Sequence, residues 1–88
     1  MKLLWHDLAW EDYHHWRKSD QKIFDRLNEL IKECVRNPFK GTGKPEPLKG
    51  DLRGWWSRRI TGEDRLVYRV KGEGKDQRLE IAQCRFHY

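Results

Sequence analysis

Residues 20–38, DQKIFDRLNELIKECVRNP, decide the helical half of the fold. Ile23, Phe24, Leu27, Leu30, Ile31, Cys34 and Val35 recur at three- and four-residue spacing, which places them on one stripe of an amphipathic helix. Ser19 or Asp20 offers the N-cap. Asn37-Pro38 closes the helix, because proline disfavours a helical residue before it and has no N–H for the preceding turn. Working back from this helix, Asp7 can cap a first helix running to about Lys18, with Leu8, Trp16 and the Trp10/Tyr13 pair as its apolar stripe. A tight turn between the two helices makes an antiparallel hairpin. The opening residues, MKLLWH, have the length and character of a short strand.

Working forward, residues 38–52, PFKGTGKPEPLKGDL, hold all three prolines and three of the seven glycines, so neither a helix nor a central strand can cross them. Three β-rich runs follow, Trp55 to Ile60, Arg65 to Lys71 and Arg78 to Phe86, separated by TGED and GEGKDQ turns. They read as an antiparallel meander. In the middle run Leu66, Tyr68 and Val70 alternate with Arg65, Val67 and Arg69, which assigns one face to the core and basic groups to the other. Trp55 and Trp56 face opposite ways on their strand, so one of them belongs in the core. The order β-α-α-β-β-β predicts an α+β fold of one small domain, residues 1–88. A twisted, mainly antiparallel sheet carries the helical hairpin on one face and leaves a basic face partly open.

Composition sets the boundaries of function. The chain has 88 residues, 36% hydrophobic and 38% charged, with eleven aromatics, five of them Trp, which suits a compact domain with an aromatic core. Its net charge of +5 is uneven: residues 1–37 hold seven Lys/Arg against seven Asp/Glu, and residues 38–88 hold twelve against seven. That asymmetry favours a polyanionic partner, since each phosphate neutralised releases counterions. Cys34 and Cys84 are too few for a disulfide framework and lack zinc-site spacing, which points to free thiols in a reducing cytoplasm. The apolar runs are too short for export or membrane anchoring.

Phosphate loops, HExxH, nucleophile elbows and CxxC pairs are all absent. His6, His14 and His15 do not combine with the cysteines into a metal set and read as rim residues. Chemistry must come from scattered side chains: Glu46 between two prolines, the Arg58/Arg59 pair, Arg65, and His87 beside Tyr88. RNA supplies its own nucleophile, the 2′-hydroxyl, so a ribonuclease without a metal or other cofactor needs a base, an acid and cations for the phosphorane. Each residue also has a plainer reading. Glu46 could be a solvated loop carboxylate, His87 a frayed end, and Arg65 half of a surface ion pair with Asp64. Lys44, Lys49, Arg53, Arg58 and Arg59 are candidate RNA-backbone contacts, and Trp55 a candidate stacking platform. Strand parity groups His87 with Leu79 and Ile81, so the last strand must end, bend or bulge before His87 can meet Glu46.

The segments KPEPLKGDLRGWWSRRI, DRLVYRV and CRFHY, with KLLW and NELIK before them, resemble YoeB-type toxins of the RelE/ParE superfamily across essentially the whole chain. The resemblance implies a microbial-RNase-like fold and a toxin that cleaves mRNA in the ribosomal A site. It also implies silencing by a YefM-like antitoxin, and a homodimer is a further expectation. By matching motifs it implies Glu46 as general base and Arg65 as stabiliser of the transition state. The His87-Tyr88 end would supply the acid and place the substrate, with Arg59 as a phosphate ligand. Two departures stand out: Asp64 occupies a position where the family often has His, and the 72–77 turn is longer than usual. The rival expectation is a non-catalytic toxin of the same fold that grips a protein target such as gyrase. The third is a plain RNA-binding module.

Overall fold

A computed structural model describes residues 1–87. Among the described residues the order is β1 (Lys2–Trp5), α1 (Asp7–Ser19), α2 (Gln21–Arg36), β2 (Glu46–Pro47), β3 (Trp56–Arg59), β4 (Arg65–Lys71) and β5 (Arg78–Gln83). The strands form one five-stranded sheet in the order β1-β5-β4-β3-β2. β2 to β5 pair antiparallel, and β1 returns parallel to β5 at the opposite edge.

α2 forms as its spacing predicts. The Asp20 side chain caps it by accepting from Ile23 N at 3.1 Å, and Leu27, Leu30, Ile31 and Cys34 are buried. They pack with Leu66, Tyr68, Leu79 and Ile81 into the core between hairpin and sheet. α1 departs from expectation twice. His6, not Asp7, is its N-cap residue, and the buried stripe is Ala9, Asp12 and Trp16. Leu8 and Trp10 stand in solvent at 58% and 47% exposure. The helix is turned this way because Cys84 is its anchor: Asp12 Oδ2 accepts from Cys84 N at 3.1 Å, and Trp16 Nε1 donates to Cys84 O at 2.8 Å. Burial, opposed by the Cys84 amide, holds the Asp12 carboxyl above the usual range.

The last strand ends at Gln83 rather than Phe86. Val67 pairs with Gln83 while Tyr68 pairs with Ile81, so Ala82 is an extra residue on β5. A bulge of this kind reverses the alternation of side chains beyond it. Cys84 is thereby buried against α1, and Gln83 shares the outer face with Val67. β5 ends three residues before Phe86, which is left-handed, so strand parity no longer governs His87.

The 38–52 segment stays largely irregular, but it also supplies the two-residue edge strand β2 and a 3-10 turn, Gly50–Leu52. No helix among the described residues is long and apolar enough to cross a membrane.

Candidate nucleic-acid interface

Directly paired residues on neighbouring strands project to the same face. The register Glu46↔Ser57, Ser57↔Val67 and Arg59↔Arg65 therefore puts Glu46, Ser57, Arg59, Arg65 and Val67 on the face away from the helices. Val67 is buried yet stands outside the helix-facing core cluster, as this assignment requires. Glu46 lies across β3 from Val67, and Arg65 is two residues further along β4, so about 12 Å separates the Glu46 and Arg65 backbones, a gap that two long side chains and a phosphodiester can fill.

The Pro-Glu-Pro segment reaches the sheet by a tight turn. Gly43 (φ 86°) and Lys44 (φ 53°) are both left-handed. Gly43 is required there: a Cβ would sit 3.0 Å from Arg59 O, and Gly43 O accepts from Arg59 N at 2.7 Å. Of residues 45–47 only Glu46 has an N–H, so β2 has little ladder of its own.

Arg65 is only 8% exposed. Its Nη1 donates to the carbonyls of Thr61 (2.9 Å), Gly62 (3.2 Å) and Asp64 (3.1 Å). The surface ion pair expected with Asp64 is not formed. The Asp64 carboxylate instead accepts from Thr61 Oγ1 at 2.8 Å and from Phe86 N at 2.7 Å. Backbone carbonyls thus hold the Arg65 guanidinium, and exposed Arg59 stands directly across from it. Two like charges directly across from each other repel, and together they suit an anion. The chain end comes to the same place, because Arg65 N donates to Phe86 O at 3.0 Å. His87 is exposed and follows that carbonyl directly. Tyr88 lies outside the described residues.

Lys44, Lys49 and Arg53 are exposed around this surface. Trp55 is half-buried on the outer face, with the Arg69 guanidinium 4.2 Å from its ring centroid. Trp56 packs on the core, so the two tryptophans divide as expected.

Arg58 is the correction: it is fully buried on the helix side and cannot contact RNA. Its Nε donates to Tyr68 Oη, Nη1 to Glu33 Oε1 and Thr42 O, and Nη2 to Asn37 O and Lys40 O, at 2.6–3.2 Å. These use all five guanidinium hydrogens. The result is a strut that binds the end of α2 to the loop leading to Glu46. The Thr42 amide, with Arg58, holds the Glu33 carboxyl below its ordinary value.

Sequence reasoning also missed a second polar cluster on the outer face. Glu80, 5% exposed, accepts from Arg69 Nε at 2.8 Å and Arg78 Nε at 2.9 Å, with His6 Nε2 at 3.5 Å. Burial opposes ionisation of Glu80, but the hydrogen bonds from Arg69 and Arg78 win and keep its carboxyl below the usual range. The available signal was an acidic residue with the parity of the basic positions across the strand pair. Among the described residues no three His, Cys, Asp or Glu side chains gather as metal ligands.

The molecule is thus a small α+β protein with a helical hairpin on one face of its sheet and Glu46, Arg59 and Arg65 on the other. The family model for the YoeB-like toxin of bacterial type II toxin-antitoxin systems matches residues 5–88. Toxin YoeB of Escherichia coli K12 is 54% identical over 88 residues, covering all of both chains. A solved YoeB/ParE toxin from Agrobacterium tumefaciens superposes with a TM-score of 0.96 at 57% identity, again over all of both chains. From Staphylococcus aureus, a YoeB dimer (TM-score 0.88) and a heterotetrameric YoeB-YefM toxin-antitoxin complex (0.87) are each 42% identical, covering 100% of this chain and 98% of theirs. The chain belongs to the YoeB family of type II toxins.

Proposed function

We propose that this toxin is a ribosome-dependent endoribonuclease that cleaves mRNA in the A site of the bacterial ribosome and so stops translation in the cytoplasm. The observation that carries the reading is the cross-strand pair Arg59↔Arg65, with Glu46 on the adjoining strand and the chain end hydrogen-bonded to Arg65. In this mechanism the Glu46 carboxylate takes the proton from a 2′-hydroxyl, and the oxygen attacks the adjacent phosphorus. Arg65, held by the 61–64 turn, and Arg59 balance the charge gained by the phosphorane. His87 protonates the departing 5′-oxygen while Tyr88 places the substrate. The P–O5′ bond breaks, leaving a 2′,3′-cyclic phosphate and a 5′-hydroxyl. No metal or other cofactor enters these steps.

Lys44, Lys49 and Arg53 would hold RNA backbone and Trp55 a base. A YefM-like antitoxin as silencing partner, and a homodimer of the free toxin, are supported by the assemblies of the Staphylococcus aureus relatives. The test compares mRNA programmed on bacterial ribosomes with free mRNA and maps the fragment ends. Cleavage only on ribosomes, with cyclic-phosphate and 5′-hydroxyl ends, is expected. Glu46→Ala or His87→Ala should cost on the order of 10² to 10⁴ in rate. No cleavage under either condition would favour a toxin that acts by gripping a protein target.

A further inference from the structure

The TGED turn between β3 and β4 does more than reverse the chain. Thr61 Oγ1 accepts from Glu63 N at 3.1 Å and Asp64 N at 3.0 Å, and donates to Asp64 Oδ2 at 2.8 Å. This closes the turn and fixes the orientation of the Asp64 carboxylate. Its other oxygen, Oδ1, accepts from Phe86 N at 2.7 Å, a charge-assisted bond to a residue 22 positions away. Phe86 has φ 63°, the left-handed region that a residue with a side chain disfavours. Its carbonyl is held as well, by Arg65 N at 3.0 Å. Consecutive residues Asp64 and Arg65 thus grip both polar groups of the residue immediately before His87. Carbonyls of the same turn orient the Arg65 guanidinium.

We propose that Asp64 is a positioning residue for the reaction: its carboxylate clamps Phe86 in the left-handed bend and thereby presents His87 beside Arg65. The inference rests on the ribonuclease reading of His87 and Arg65. It assigns a role to the position at which this chain departs from the usual family pattern. Asp64 acts through the backbone and touches no reacting atom, so its loss should lower turnover while leaving ribosome binding nearly unchanged.

The test uses the full chain with Asp64→Ala, which removes the acceptor, and Asp64→Asn, which keeps an oxygen for the Phe86 amide. Thermal melting first establishes that each variant is folded. Single-turnover cleavage of ribosome-bound mRNA is then measured across ribosome concentrations, and exchange of the Phe86 amide proton is followed by NMR. Asp64→Ala should cut the maximal rate about 10- to 100-fold, the scale of an ångström-sized misplacement. The half-saturating ribosome concentration should stay in place and the Phe86 amide should lose protection. Asp64→Asn should retain most of both the rate and the protection. A wild-type rate in Asp64→Ala alongside an inactive His87→Ala would overturn the inference, as would equal rate loss in the Ala and Asn variants. If the unaltered protein cleaves nothing, the ribonuclease reading and the catalytic role of Asp64 both fall. The Phe86 amide then separately decides whether the clamp exists.

Discussion

Replacing Arg58 by Lys measures the strut that delivers Glu46. The guanidinium satisfies five acceptors, on Tyr68, Glu33, Thr42, Asn37 and Lys40, from a fully buried position. An ammonium has three donors radiating from one point, so at least two of the five acceptors lose their partner. A buried acceptor left unpaired costs about 1–3 kcal/mol. Several of these carbonyls lie near enough to the surface for water to relieve part of the loss, so a total of about 2–4 kcal/mol is expected. A domain of this length has only about 4–13 kcal/mol of stability in all. The effect should therefore appear as a fall in Tm of about 8–30 °C. Urea denaturation of both proteins gives the same quantity, with an unchanged m-value if the fold is intact. A loss under about 0.5 kcal/mol, the scale of a surface substitution, would refute the claim that Arg58 is a saturated buried strut.

The buried carboxyls give opposite pH signatures. The Asp12 pKa is raised in the folded state, so its ionisation costs stability as pH rises through that value. Asp12→Asn, which still accepts from Cys84 N, should raise Tm at neutral pH, with the advantage shrinking toward pH about 4. The Glu80 pKa is lowered, so its contribution is present above the ordinary Glu value and lost as pH falls through the folded one. Glu80→Gln should therefore destabilise most near neutrality, as melts across pH would show. Trp16→Phe removes the 2.8 Å bond to Cys84 O and should cost about 1–3 kcal/mol in urea denaturation. Burial pushes the Cys34 thiol up to about 11 and raises Cys84 as well. Iodoacetamide at about pH 8 should modify neither in the native protein and both in denaturant, read by mass spectrometry.

The elements with clean periodicity were legible. α2, the full extent of β4 and the division of Trp55 from Trp56 follow from side-chain spacing, and the β3-β4-β5 meander follows from its turns. Arg58 could have been read correctly too: once Trp56 faces the core, a period of two places Arg58 behind it. In α1 the apolar residues outnumber the places the core offers: Trp16 and Tyr13 pack inward as their spacing predicts, while Leu8 and Trp10 do not. Cys84, far along the chain, selects Ala9, Asp12 and Trp16 for burial and leaves Leu8 and Trp10 outside. Strand parity requires only that the last strand end, bend or bulge, and the structure has a bulge at Ala82. Its position is set by long-range anchoring of Cys84 on α1, which no local pattern reports. Asp64 stands out in the sequence as a departure from the family pattern, but its bond to Phe86 joins residues whose proximity exists only in the folded sheet.

In the proposed mechanism the RNA's own 2′-hydroxyl is the nucleophile, activated by Glu46. The most direct test maps the cleavage site in a ribosome-bound mRNA and then replaces the nucleotide on its 5′ side with the 2′-deoxy form. Cleavage at that bond should disappear while the toxin still binds the programmed ribosome. Cleavage at an undiminished rate would mean that water or another group attacks the phosphorus, and would contradict the mechanism built on Glu46, Arg65 and His87.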